Sequence, residues 1–186
     1  MSYLGALLAG IAGVMLGLVF PDIDMSLGRT PFGAIIQHRS LLTHGFIISL
    51  VLFGLAVRHR DPVLRLFTMG FSIALATHLC FDLFPSNWIG TALIYAPVTG
   101  RLQPTPSILW MLVSIVTCLG VAFALVRRRH EVVMVVGTTA FTFFVAAMRE
   151  RAFWTPLLLL VVLAAFAWVL AFTPLHQQGF TTRDRA

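Results

Sequence analysis

Long apolar runs separated by short polar connections set the pattern of this chain. The runs are Tyr3–Phe20, Leu41–Val57, Val63–Phe84, Ser107–Val126, Val132–Met148 and Ala152–Phe172. A helix rises about 1.5 Å per residue and needs about 20 apolar residues to cross a bilayer core, so each run is of spanning or near-spanning length. The pattern predicts an all-α fold, a polytopic transmembrane helical bundle of six spans. Pro156 falls near the start of the sixth run, where a missing N–H costs least. Trp110, Trp154 and Trp168 fall near the ends of their runs, where indole rings meet lipid headgroups. The first run lacks a basic leader and a small-residue cleavage site, which favours a first span over a signal peptide. Residues 1–172 are expected to form one helical domain, with a motif-bearing half at 1–106 and an apolar half at 107–172. A polar tail, 173–186, follows.

Composition sharpens this picture. Hydrophobic residues make up 59% and charged residues 11%, with a mean hydropathy of +0.92. A soluble domain carries about 25% charged residues, and an ordinary soluble fold is excluded on that ground. The net charge is +6, and all 13 basic residues are arginine. They fall in short clusters between the runs rather than along one face, so no nucleic-acid partner is expected. With six spans, the side of the N-terminus holds Arg58, Arg60, Arg65, Arg127, Arg128, Arg129, Arg183 and Arg185. The other side holds Arg29, Arg39, Arg101, Arg149 and Arg151. The excess on the first side predicts that both termini are cytoplasmic. Cys80 and Cys118 lie inside apolar runs, which argues against a disulfide framework. The segment Trp88–Pro97 is too short to span. It is expected to lie in the interface, as a re-entrant cap or as a packed loop.

Polar residues are scarce enough for their positions to matter. Asp22 and Asp24 follow Pro21 just beyond the first run, and in extended chain their side chains share a side. His38 and His44 lie six apart, a poor fit for one straight helix. His38 is therefore placed in the loop, with Ser40 as a helix N-cap and His44 in the first turns of the second span. His78 and Asp82 stand at i and i+4 on one helical face, and a carboxylate in a span normally faces a bundle interior or a wet cavity. The arginine-based topology puts all these groups on one side of the membrane. Oxygen and nitrogen donors of this kind suit one or two divalent ions, zinc first, with manganese or magnesium as alternatives. Glu150, on the same side, is a candidate further ligand or base. Arg39, Arg101 and Arg29 are candidates for holding a phosphate. His59, His130 and His176 read as surface residues.

Three motifs carry a resemblance: Pro-Asp-Ile-Asp at 21–24, His-Arg-Ser-x-x-Thr-His at 38–44, and His-x-x-x-Asp at 78–82, followed by a segment from Gly90 to Pro97. Over roughly residues 1–100 the chain resembles the inner-membrane-bound metal-dependent hydrolases of bacteria and archaea, themselves distantly similar to zinc-dependent phospholipases C and single-strand nucleases. The resemblance implies metal ligation by Asp22, Asp24, His38, His44, His78 and Asp82, with Arg39, Ser40 and Thr43 in support. Two positions depart from it: Met25 stands where relatives often have histidine, and Ser40 where they tend to have glycine.

The expected function is metal-dependent hydrolysis of a phosphoester, on a lipid or lipid-linked phosphate, at the outer face of a bacterial or archaeal cytoplasmic membrane. Asp22, Asp24 and His44 are the expected catalytic groups. Water is the expected nucleophile, because no serine or cysteine stands beside a base with a third partner. The alternatives are a metal-handling transporter and a structural membrane scaffold with an inert metal site.

Overall fold

The computed structural model describes residues 3–31, 36–84, 92–127 and 129–172. The tail from 173, Trp88, Gly90 and Arg128 lie outside the described residues. The described residues form seven helices: α1 (Tyr3–Val19), α2 (Ile23–Leu27), α3 (Ile47–His59), α4 (Pro62–Leu83), α5 (Pro104–Ala124), α6 (Arg129–Glu150) and α7 (Trp154–Phe172). A two-stranded antiparallel ribbon, β1 (Tyr95–Ala96) with β2 (Gly100–Arg101), is the one sheet among the described residues. The protein is all-α, and among the described residues four helices are long and apolar enough to cross a membrane: α4, α5, the Glu131–Glu150 part of α6, and the Trp154–Ala171 part of α7. Helices α1 and α3 are apolar but shorter. At 13 residues, α3 is about 20 Å long.

Helix α4 is the hub. Asp61 caps it by accepting a hydrogen bond from Val63 N at 3.1 Å, and Pro62 occupies the first turn, where its missing N–H is harmless. Nearly every residue from Arg65 to Leu83 is buried. Helices α1, α3, α5, α6 and α7 all pack against it. Two of its buried hydroxyls are satisfied locally: Thr68 and Thr77 donate to the carbonyls four residues back, at 2.7 and 2.9 Å. Helix α1 approaches α4 through glycines. A methyl on Gly13 would strike the Phe67 carbonyl, and one on Gly17 the Phe71 carbonyl, so the small-residue face lets the two backbones touch. The outward faces of α1, α6 and α7 expose Leu8, Ile11, Phe144, Val136, Leu158 and Val162, as helices surrounded by lipid do.

At the far end of α4 from the motifs, Arg65 makes a buried bidentate pair with Glu131 (2.8 and 2.6 Å) and also donates to the Leu125 carbonyl at 2.8 Å. Glu131 in turn accepts from Arg127 N at 2.7 Å. This pair ties together the start of α4, the end of α5 and the start of α6.

Candidate metal centre

The first motif turns sharply out of α1. Pro21 ends the helix, and α2 brings Asp24 fully under the loop that follows. Asp24 Oδ2 accepts from Arg39 N (2.8 Å), Ser40 N (3.3 Å) and the Thr43 hydroxyl (2.6 Å), while His38 Nδ1 lies 3.1 Å from Oδ1. One buried carboxylate therefore organises the whole second motif. Its demand for backbone N–H groups holds Arg39 in the left-handed region, at φ 65, a conformation that costs a non-glycine residue about 1–2 kcal/mol. Ser40 caps a single turn: its Oγ accepts from Thr43 N at 3.3 Å and its carbonyl from His44 N at 2.9 Å. That turn does not continue into the helix. His44, expected in the first turns of the second span, sits instead in the connection ahead of α3, because the local hydrogen bonds of Ser40 and Thr43 compete with helix formation.

Two neighbours lock this connection. Tyr95 of β1 donates from its N to the Arg39 carbonyl and accepts from Leu41 N, at 2.8 and 3.0 Å. Trp110 Nε1 donates to the His44 carbonyl at 3.0 Å. Gly45 makes room for that indole: a Cβ there would meet the Leu41 carbonyl and the Trp110 ring. The 92–97 part of the expected interfacial segment is a packed, largely buried piece of chain ending in β1.

His44, His78 and Asp82 converge, with their donor atoms within 4.8 Å of one another. His44 Nε2 is 2.9 Å and His78 Nε2 3.2 Å from Asp82 Oδ2. The tautomers follow from the other ring nitrogens. His78 Nδ1 faces the Leu18 carbonyl at 3.0 Å, which only accepts, so Nδ1 carries the hydrogen. His44 Nδ1 faces Thr43 Oγ1 at 3.0 Å and Asp24 Oδ2 at 3.3 Å, and because the threonine hydroxyl already donates to Asp24, Nδ1 again is the donor. Both Nε2 atoms are then left as acceptors close to one carboxylate oxygen. His44 Nε2 and Asp82 Oδ2 are buried and have no hydrogen-bond partner. Three acceptors facing one another repel unless a cation lies between them. One proton bridges two of them, whereas a divalent ion satisfies all three.

The distances of Asp82 Oδ2 to the two Nε2 atoms, 2.9 and 3.2 Å, suit such an ion. Ligand atoms about 2.0–2.2 Å from a metal lie about 3.0–3.5 Å apart along the edge of a tetrahedral or octahedral shell. The surroundings fit as well: Asp24 orients His44 from behind, the Leu18 carbonyl orients His78, and Arg39 Nη2 lies 3.5 Å from Asp82 Oδ1. Burial opposes charge on His44, but the carboxylates of Asp24 and Asp82 outweigh it and raise its pKa above the usual 6.5. Burial likewise acts to raise the pKa of Asp24, and the hydrogen bonds from His38, His44 and Thr43 reverse this, holding its carboxyl well below 3.8.

The remaining sequence candidates take distinct places. Asp22 Oδ1 lies 3.9 Å from His78 Nε2, at the edge of the triad, and its Oδ2 pairs with Arg149 Nη2 at 2.8 Å. His38 stacks edge-on to His44 with ring centres 5.8 Å apart, and its side chain is 39% exposed, so it flanks the triad from outside. Glu150 lines a cavity of about 390 Å³ that also contains His78, Asp82 and Arg149, with Met15, Leu18, Phe81 and Phe141 as apolar wall. Arg29 and Arg101 are exposed, and among the described residues no ion pair links either to the triad. Sequence reasoning counted Arg149 only for topology; its adjacency to Glu150 was the available signal. Cys80 and Cys118 are buried free thiols.

These features define a membrane-associated, metal-binding helical protein. No family model, curated protein or solved structure matches the chain.

Proposed function

We propose that this protein is a membrane-embedded, metal-dependent hydrolase of a phosphoester carried by a lipid. The observation that carries the reading is the close set of acceptors at buried His44 and half-buried His78 and Asp82, beside an apolar cavity whose charged residues are Asp82, Arg149 and Glu150. The motif resemblance supports the same chemistry. In this reading α1 and α3 join the four long helices to make six spans, both termini are cytoplasmic, and the site faces the outer surface of a bacterial or archaeal cytoplasmic membrane. An impermeant thiol reagent applied from outside should label a cysteine placed at Arg29 and spare one placed at Arg128; the opposite pattern overturns the orientation.

His44, His78 and Asp82 hold the ion, zinc or else manganese or magnesium. Bound there, a divalent ion supplies a Lewis acid that acidifies water and neutralises charge on phosphoryl oxygens. Asp24 keeps the hydrogen of His44 on Nδ1 and so keeps Nε2 available. Arg39 holds Oδ1 of Asp82, leaving Oδ2 turned toward the histidines. Arg149 presents a guanidinium to the phosphate, in bidentate geometry if it releases Asp22. Asp22 Oδ1 is the oxygen placed to take a proton from the attacking water, with Glu150 as a second carboxylate on the cavity wall. His38 supports Asp24, and the exposed Arg29 and Arg101 draw anionic headgroups to the surface.

Purified protein in detergent, loaded with zinc or manganese, should release phosphate or alcohol from a panel of phospholipids and polyprenyl phosphates. A chelator should stop turnover, and His78→Ala should abolish it together with metal binding. Metal-replete wild type that turns over no lipid, polyprenyl or nucleotide phosphoester overturns the hydrolase reading.

A further inference from the structure

Among the described residues, a second cavity lies in line with the one beside the triad. Helices α1 and α6 both pack on α4 but barely on each other, and the cleft between them stays open at two places. The second cavity, about 260 Å³, is walled by the same three helices further from the triad, among them Leu7, Leu66, Gly70, Met134 and Gly137. The two are neighbours: Val14 lines one and Met15 the other, and Thr138 and Phe141 stand one helical turn apart on α6. Membrane bundles close such gaps with side chains, because interiors pack to near-crystalline density. Here Gly137 of α6, with nothing near the place of its Cβ, leaves space vacant, while Gly10 and Gly70 bring the backbones of α1 and α4 together along the cavity floor. The cleft is polar at one end only. Arg149, Glu150, His78 and Asp82 gather at the near end, whereas Thr138 is the one hydroxyl in the far cavity's apolar wall.

We infer that this cleft is the binding track for a single long hydrocarbon chain of a phosphate-bearing lipid drawn from the membrane. The phosphate sits at Arg149 beside the triad, and the chain runs along α4 between α1 and α6. Polarity selects the orientation: the Arg149 guanidinium, held by Asp22 Oδ2 at 2.8 Å and Glu150 Oε1 at 3.4 Å, lies with the candidate cation site at one end, and hydrocarbon surface lies at the other. Length selects the chain. From Arg149 to Gly137 along α6 is 12 residues, about 18 Å. A zigzag of carbon–carbon bonds of about 1.5 Å advances about 1.25 Å per carbon, so a chain of about 16 carbons reaches the far cavity and one of about 8 does not. The inference rests on the proposed function for the headgroup's fate but not for its binding.

The test reads position rather than turnover. Full-length protein in detergent is photolabelled with hexadecyl phosphate or octyl phosphate, each carrying a terminal diazirine, and the adducts are mapped by mass spectrometry. The 16-carbon probe should label Leu7, Leu66 or Met134, and the 8-carbon probe Met15, Leu18 or Phe141. Excess unlabelled hexadecyl phosphate should suppress both patterns at least tenfold, while hexadecanol should not. Gly137→Phe has open space at its Cβ, so it should fill the far cavity without disturbing the backbone. It should remove the far adducts, retain the near ones and leave metal content unchanged. Labelling by both probes at outward residues such as Val136 and Phe144, or far adducts that persist in Gly137→Phe, overturns the track. Correct adducts without any lipid hydrolysis leave the track standing and remove the hydrolase reading instead.

Discussion

Replacing Asp24 with asparagine isolates the orientation of a metal ligand from the integrity of the loop. The native carboxylate is fully buried and accepts from two backbone N–H groups and the Thr43 hydroxyl while facing Nδ1 of both His38 and His44. Asp24→Ala would strand all of these donors. Each hydrogen bond to a charged group contributes about 1.5–3 kcal/mol, so that variant should lose several kcal/mol and the loop with it. Asparagine is nearly isosteric. Its carbonyl can occupy the Oδ2 position and keep the bonds to Arg39, Ser40 and Thr43, while its amide faces His38. What it removes is the negative charge behind His44 that fixes the hydrogen on Nδ1 and strengthens Nε2 as a donor to metal. Loss of such a partner costs about 10- to 100-fold in metal affinity, or about 1.4–2.8 kcal/mol. Competition against a fluorescent zinc chelator, with thermal unfolding recorded in parallel, separates the two effects. A zinc Kd within twofold of wild type in a folded Asp24→Asn protein would refute the orienting role.

Other perturbations follow from the same geometry. Arg65→Ala strands a buried glutamate and should lower stability by about 3–5 kcal/mol, read as thermal unfolding in detergent, with zinc affinity unchanged because the pair lies at the other end of α4. Gly13→Leu should drive α1 off the Phe67 carbonyl and cost about 1–3 kcal/mol, whereas Gly54→Ala, with nothing near its Cβ, should be neutral or slightly stabilising; equal losses would count against the glycine contact. Zinc competes with a proton for His44 Nε2, so affinity should be full at high pH and fall as pH drops through the raised histidine pKa, a trend measurable by chelator competition. The stabilisation from Asp24 is complete above the ordinary carboxylate value of 3.8 and should be lost as pH falls from there toward its depressed native value. Thermal midpoints that do not decline over that range contradict the assigned hydrogen bonds.

Five of the six apolar runs correspond to helices whose ends lie within a few residues of those expected, because continuous hydropathy is the dominant signal in a lipid-facing chain. The second run shows where that signal stops. Residues 41–46 are apolar enough to continue a helix, yet Asp24, fourteen or more residues upstream, holds the chain around Arg39, Ser40 and Thr43, so α3 begins only at Ile47. Such long-range hydrogen bonds leave no trace in local periodicity. The i,i+4 spacing of His78 and Asp82 did foretell their shared face, and the distance from His44 to Asp82 depends on how α2 and the 38–44 loop fold under α4. Arg149 and the Arg65–Glu131 pair escaped for another reason. Arginine at the end of an apolar run reads as a topology signal, and only packing distinguishes one that snorkels to lipid from one that turns inward. A transport pathway along α4 would need ionisable groups through the middle of the helix. In α4 the charged groups cluster at its two ends, at Arg65 and at Asp82, with Thr68, Ser72 and Thr77 as the buried hydroxyls between.

Crystals of the zinc-loaded protein measured at the zinc edge test the central claim most directly. One anomalous peak should lie about 2.0–2.2 Å from His44 Nε2, His78 Nε2 and Asp82 Oδ2, with Asp24 outside bonding distance and a side of the ion open to the Arg149 cavity. Stoichiometric zinc located elsewhere, or zinc at the triad with every coordination position filled by protein, would contradict it.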